Sequence, residues 1–356
     1  MHEISFARKG NRMTGDYKRM FIAGTNTNAK QFPYERRHGD AADEATSSKP
    51  VYIYDVDNRI EIAVNVALAT GRPLLLEGPS GCGKSSLARN VASTLKWRYH
   101  EIVVTSQTQS QDMQWWFDAV SRFGDAQAKA ADTHKEAQGG EYKYLQPRRY
   151  IVPRPLWWAF DRDSAKTRGH AAGNLEECKE PGEQPDCDEC VVLIDEIDKA
   201  DPDVPNNLLV PLGSLRFTVT EQGEEIRVTA KKAPLVFITS NKERELPMAF
   251  LRRCVRLDLK APDADRLIKI GEAHFPKSYK KQKTLFERIA EVIIKRAEER
   301  ASESGMLNDV PEGPSTAEYL DAVAACLTTG ADPQQEDGIW EQVYEVIFDK
   351  NNRQTL

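Results

Sequence analysis

Apolar and polar positions along the chain fall into three regimes. The first 50 residues are polar, and stretches such as GTNTNAK and HGDAADEATSSK are too poor in apolar side chains to fold alone. An arm or linker is expected there, with a short docking strand at Met20–Ala23. From Val51 onward, short runs of Val, Ile and Leu alternate with helical spacing. Val51–Asp55 reads as a β-rich lead-in near enough to the next motif to touch a base, followed by a helix that buries Ile60, Ile62, Ala63, Val66 and Ala67. Buried strands are read in the leucines from Leu74, the apolar run from Val191 and Leu235–Asn241, with an alternating core strand in Tyr99–Thr105 and a final strand in Val255–Leu259. From Pro262 only the i, i+3, i+4 spacing of helices remains, in segments 263–275, 283–305, 315–330 and 337–350. Asp263 and Ser315 are the expected N-caps there, and Gly305 and Gly330 the expected stops. The division is therefore an arm over 1–50, an α/β core over 51–261 and a small helical domain over 262–356.

The core is interrupted by residues 106–190. Segment 109–138 reads as helix broken by Gly124, and Gly139-Gly140 breaks the chain again. In 141–160, Lys143, Arg148, Arg149 and Arg154 alternate with Tyr142, Tyr144, Tyr150, Trp157 and Trp158. Such interleaving suits stacking on a nucleic-acid single strand, but a strand and helix packed on the core explains the aromatics as well. Glu176, Glu177, Glu180, Glu183, Asp186, Asp188 and Glu189 then stand against Lys179 alone, the composition of a solvated loop. His170, Cys178, Cys187 and Cys190 supply four zinc-type donors, with free thiols in an acidic loop as the alternative. Farther on, 201–215 reads as a helix with a polar start, and two alternating runs around Gln222-Gly223 read as a hairpin.

Composition adds limits. A chain of 356 residues with 40% apolar and 29% charged residues is ordinary for a globular protein, and a net charge of −6 provides no overall basic field for nucleic acid. No apolar run approaches the roughly 20 residues that span a bilayer, and the first 20 residues lack the apolar core of a leader. Six cysteines do not make a disulfide scaffold at this length, so a cytoplasmic, reducing location is expected.

Chemistry concentrates after the first core strand, where Gly78, Pro79, Ser80, Gly81, Cys82, Gly83, Lys84, Ser85 and Ser86 follow the spacing G-x-x-x-x-G-K-[ST]. Glycines there let successive N–H groups turn inward at a helix start, making a phosphate cradle; Lys84 reaches the phosphates and the Ser85 hydroxyl reaches Mg²⁺. VVLIDEID places Asp195 at a strand tip, where it can hold the metal through water, with Glu196 beside it to polarise an attacking water; capping of the next helix is the alternative. Asn241, ending another strand, suits a water or a γ-phosphate oxygen, or merely a turn. Arg252 and Arg253 precede the last strand, either as surface charge or, in a ring, as a finger into a neighbour's site.

These motifs in this order, from about Val51 to Phe348, resemble the AAA+ ATPases. LLLEGPSGCGKS, VVLIDEIDKADPDVPN, FITSN and LPMAFLRRCV look like the MoxR branch, in the subgroup associated with von Willebrand factor A domain proteins. The resemblance implies a five-stranded parallel P-loop core with an all-helical lid, ATP and Mg²⁺ as ligands, a homo-oligomeric, hexameric ring, and remodelling or activation of a protein client. It implies Lys84 and Ser85 for phosphates and Mg²⁺, Asp195 for Mg²⁺, Glu196 for the water, Asn241 as first sensor, and Arg253, with Arg252 second, as the finger. Many relatives carry S-P-R where this chain has Ser315, Thr316 and Ala317, so a substitute basic residue or weaker lid coupling is implied. A nucleic-acid motor of a restriction or defence system and a nucleotide-gated scaffold with slow hydrolysis are the rival functions.

Overall fold

The computed structural model describes residues 52–54, 58–131, 147–169, 177–221, 224–303, 315–334 and 338–348. In chain order the elements begin with α1 (Arg59–Thr70), β1 (Leu74–Glu77), α2 (Lys84–Leu95) and β2 (Arg98–Val103). An inserted group follows: β3 (Trp115–Phe117), α3 (Ala119–Ala131), β4 (Ile151–Pro153), α4 (Pro155–Phe160) and α5 (Arg162–Thr167). The core resumes with β5 (Cys190–Asp195), α6 (Asp203–Ser214), β6 (Arg216–Glu221), β7 (Glu224–Thr229), β8 (Leu235–Ser240), α7 (Met248–Leu251) and β9 (Val255–Asp258). Helices α8 (Ala264–His274), α9 (Pro276–Glu303), α10 (Thr316–Thr329) and α11 (Ile339–Phe348) complete the described chain.

Five strands make one parallel sheet in the order β2-β5-β8-β1-β9. Central strands are buried on both faces, which is why LLL, VVLI and LVFI read as continuous apolar runs rather than alternating ones. Alternate residues feed two cores. Leu74, Leu76, Val191, Leu193, Leu235 and Phe237 pack with α1 and α2, whereas Leu75, Val192, Ile194, Val236 and Ile238 pack with Leu156, Trp157, Trp158, Phe160 and α6. The sheet is thus covered on both sides, as a parallel sheet requires. A third core joins Leu267, Phe286, Ile289, Tyr319, Val323 and Trp340 of α8–α11. Ser315 and Asp263 cap α10 and α8 as expected, with Gly330 in the left-handed conformation closing α10.

Several expectations are corrected. Ile62 is 57% exposed and Val64 takes its place in the core, because a 100° step per residue puts positions 60, 63, 64 and 67 on one stripe and 62 off it. Trp115–Phe117 is a strand paired with β4, and α3 runs through Gly124 without a break. A Cβ at Gly124 would meet nothing within 4 Å, so the glycine neither enables nor forces a turn there. Tyr150, Trp157 and Trp158 are core residues and offer no stacking platform at the surface. Met20–Ala23, Tyr142, Lys143, Tyr144, His170, the Gln222-Gly223 turn and Gly305 lie outside the described residues; β6 and β7 flanking that turn do form an antiparallel pair.

The acidic segment is the solvated loop its composition suggests, with Glu177, Glu183, Asp186 and Asp188 exposed, except at Glu180. Glu180 has a side chain only 6% exposed and binds Arg98, His100 and Arg162 at 2.7, 2.9 and 2.6 Å. Arg98, 1% exposed, also donates to the carbonyls of Trp158, Cys187 and Asp188. Gln184 pairs its side-chain amide with both backbone groups of Tyr99, covering the open edge of β2. Charged residues dominate this loop, yet one of them is the nail that fixes it.

Candidate functional site

The phosphate loop connects β1 to α2, and its glycines are required by both conformation and space. Gly78, Gly81 and Gly83 have φ of 149°, 74° and 94°, and a Cβ would meet the Leu259 carbonyl oxygen at 2.3 Å from Gly78 and the Ser315 Oγ at 2.5 Å from Gly81. Cys82 is buried within the loop, and burial holds its thiol above the ordinary range despite the nearby Lys84, so it is an inert filler. Pro79 and Ser80 form the rim, and Ser86 faces out from the first turn of α2.

Lys84 is 7% exposed and its Nζ donates to the carbonyls of Gly78 and Pro79, each at 2.8 Å. Burial pulls its ammonium below the usual lysine range, while Cys82, Asp195, Asp198 and Glu196 oppose that shift. A half-desolvated cation held only by neutral carbonyls is readily captured by a polyphosphate. Ser85 Oγ lies 2.9 Å from both carboxylate oxygens of Asp195 at the tip of β5. A hydroxyl and a carboxylate facing each other beside a phosphate cradle form the all-oxygen donor pair suited to Mg²⁺.

The neighbouring strand completes the tip. Thr239 of β8 donates to Asp195 Oδ1 and accepts from the Glu196 amide at 2.8 Å, tying both acids to one hydroxyl. Glu196 has a left-handed backbone (φ 60°), and its carboxylate pairs with Lys199 at 2.8 Å. Asp198, 2% exposed, accepts from the amides of Asn241 and Glu243 through Oδ2, and its buried Oδ1 has no partner among the described residues. Asn241 therefore sits at the same sheet end, its side chain reaching Glu243 at 3.2 Å. Thr239 and Asp198 were not singled out from the sequence; for Thr239 the signal was a polar residue near the end of an otherwise apolar strand, and for Asp198 its place three residues beyond the tip of β5.

Arg252 and Arg253 lie elsewhere. The register Leu74↔Val255 and Glu77↔Asp258 puts them at the amino end of the sheet, whereas the phosphate loop leaves from the carboxyl end. About 3.3 Å per strand residue separates them by roughly 15 Å along the sheet. Both side chains are exposed and make no hydrogen bond or ion pair among the described residues. At the other side of the loop, the Thr316 amide donates to the Gly81 carbonyl at 3.1 Å, so the start of α10 rests directly on the phosphate loop.

Cys178, Cys187 and Cys190 are thiols outside any disulfide, and no group of three or more His, Cys, Asp or Glu capable of holding a metal occurs among the described residues. Cys190 is buried at the start of β5, where burial pushes its thiol up to about 12, and Cys187 Sγ donates to backbone carbonyls. Among the described residues no helix is long and apolar enough to cross a membrane.

A five-stranded parallel sheet with a glycine cradle, a lysine and an acid-tipped strand at one end is the P-loop nucleotide-binding class. Residues 73–254 match the family model of the AAA domain, dynein-related subfamily, and the chain belongs to that family. It is a P-loop ATPase that uses ATP with Mg²⁺. Among solved structures it is similar to RuvB of Thermotoga maritima, a Holliday junction branch migration motor, at 16% identity over 82% of this chain and 68% of that one, with a TM-score of 0.39. A point mutant of that RuvB gives 16% identity, 82% and 69% coverage and a TM-score of 0.41. NtrX of Brucella abortus in complex with ADP gives 15% identity, 82% and 55% coverage and a TM-score of 0.43. No curated protein matches the chain.

Proposed function

We propose that the protein is a ring-forming ATPase of the MoxR type, with its catalytic seam between protomers, and that it couples ATP turnover to remodelling or activation of a partner protein. Domains of about 51–261 and 262–356 are the moving parts, joined to an arm over 1–50. The observation that carries the reading is the separation of Arg252 and Arg253 from their own phosphate loop. They stand as exposed cations at the wrong end of the sheet to serve it. A neighbour docked head to tail brings such a pair to the triphosphate, and a contact of that kind closes into a ring.

In this scheme the triphosphate lies along the amides of residues 78–85. Lys84 leaves the Gly78 and Pro79 carbonyls for phosphate oxygens, while Ser85 and Asp195 would hold Mg²⁺, which would supply neutralising positive charge. Glu196, released from Lys199, orients the attacking water and accepts its proton, and Asn241 orients that water or a γ-phosphate oxygen. Arg253 of the adjoining protomer, with Arg252 second, stabilises charge in the transition state, an effect worth about 10³-fold or more in related chemistry. A von Willebrand factor A domain protein is the proposed client.

The decisive experiment mixes variants. Arg253→Ala keeps nucleotide binding and loses turnover, Lys84→Ala loses nucleotide binding, and mixed assemblies regain activity because a sound pocket meets a sound finger at some seams. A monomer that hydrolyses at full speed would end this reading. A slow, nucleotide-gated scaffold is the second reading, favoured by the direct Thr316–Gly81 contact with no guanidinium in the S-T-A stretch. A steady-state rate near zero in an assembled ring selects it.

A further inference from the structure

The short helix that presents Arg252 and Arg253 is held from outside by a residue 180 positions away. Arg72 follows Gly71, which closes α1, and precedes β1. Its guanidinium donates to three consecutive carbonyls: Arg252, Arg253 at 3.1 Å and Cys254 at 3.0 Å. These are end carbonyls of α7 and its continuation, groups that a helix terminus leaves without intrahelical donors. With four residues, α7 has little hydrogen bonding of its own to define the direction in which its last residues point. Phe250 and Cys254 anchor the inner side of the turn in the core. On the outer side the backbone under both arginines is gripped by Arg72.

We propose that Arg72 is a positioning residue for the arginine finger: it acts on hydrolysis in the neighbouring protomer's site by setting the backbone beneath Arg252 and Arg253. The inference rests on the shared-seam reading above and deepens it. A planar guanidinium with five donors in a fixed fork spans three successive carbonyls, which the three donors of an ammonium at a single point do not. Placing a third cation within one turn of two others costs like-charge repulsion that a neutral donor would avoid. That cost is intelligible where the surface meets a triphosphate, because the three charges then share one anionic partner. Arg72 touches no reacting atom in this arrangement.

The test uses the full chain. Arg72→Ala should bind nucleotide like the parent, since its own pocket is intact, and lose turnover by roughly ten- to a hundredfold with KM little changed, the scale expected for misplacing a catalytic group by about 1 Å. Mixed with Lys84→Ala it should regain turnover, as Arg253→Ala does, because the Lys84→Ala protomer lends a correctly held finger. Arg72→Lys should resemble Arg72→Ala. Recovery with Arg253→Ala but not with Arg72→Ala overturns the role of Arg72 and leaves the seam standing, whereas failure of Arg253→Ala itself to recover overturns the seam. Loss of nucleotide binding in both Arg72 variants, or full turnover in Arg72→Lys, also overturns the positioning role.

Discussion

The sheet carries a polar cluster at each end, one on β2 at its amino end and one at the carboxyl tip of the neighbouring β5, and the two clusters are built on opposite principles. At the amino end Arg98, His100, Glu180 and Arg162 close on one another, and Arg98 directs its remaining donors at three backbone carbonyls. Nothing there has a reason to exchange partners. At the carboxyl end Lys84 rests on loop carbonyls, Glu196 on Lys199, and Ser85 on Asp195, all contacts that a triphosphate and its metal can replace. A closed network specifies structure and an open one is available for chemistry, although both contain the same residue types.

The contrast can be tested from the open end first. Glu196→Gln should lower ATP turnover by roughly 10²–10⁴-fold, the usual contribution of a positioned base, while ATP binding is retained; a stopped assay with a separate binding measurement distinguishes the two, and unchanged turnover removes Glu196 from the chemistry. At the closed end Glu180→Ala should leave Arg98 buried without its counter-charge and destabilise the fold by about 3–5 kcal/mol, measured by denaturant unfolding. A cost below about 1 kcal/mol would mean that the pair is solvated like a surface bridge.

Acid gives the smallest and most graded effect. Burial alone would raise the Glu180 carboxyl, but hydrogen bonds from His100 and Arg98, with the Arg98 charge, overcome it and bring it to about 2. Its contribution, on the order of 3 kcal/mol for a shift of this size, is therefore complete above its unfolded pKa of 4.5 and is lost as pH falls toward 2. Burial lowers the His100 pKa, against the pull of Glu180. A neutral imidazole then donates from Nε2 to the carboxylate, because an ionised carboxylate only accepts. His100 adds a loss in the same direction that begins as pH falls through its ordinary 6.5. Protection against hydrogen exchange over residues 177–190, after allowance for the intrinsic slowing of exchange in acid, should fall first as His100 loses its contribution below 6.5 and then as Glu180 does below 4.5, and an acid-insensitive segment would contradict the buried assignment.

Much of the core was legible because a parallel sheet covered on both faces leaves an apolar run at every central strand, and polar residues at its carboxyl end announce themselves by contrast. Asp195 and Asn241 stand out in that way, Lys84 and Ser85 by the glycine spacing before them, and the structure places all four at one end of the sheet. Glu180 was misread because composition averages over a segment, while burial is decided residue by residue through Arg98, 82 positions away. Trp157 and Trp158 could be read as a stacking surface until the fold showed them under the sheet.

From the amino-acid sequence alone came the glycine spacing, the order of strands and tips, and the helical character of the C-terminal region, because all of these are local: backbone freedom, periodicity and capping act over a few residues. Tertiary structure alone decided that Thr239 joins the two acids, that Arg72 grips the turn under Arg252 and Arg253, and that those arginines lie at the far end from their own phosphate loop. Such facts depend on which strand lies beside which and in what register, and those pairings are set by the packing of the whole sheet.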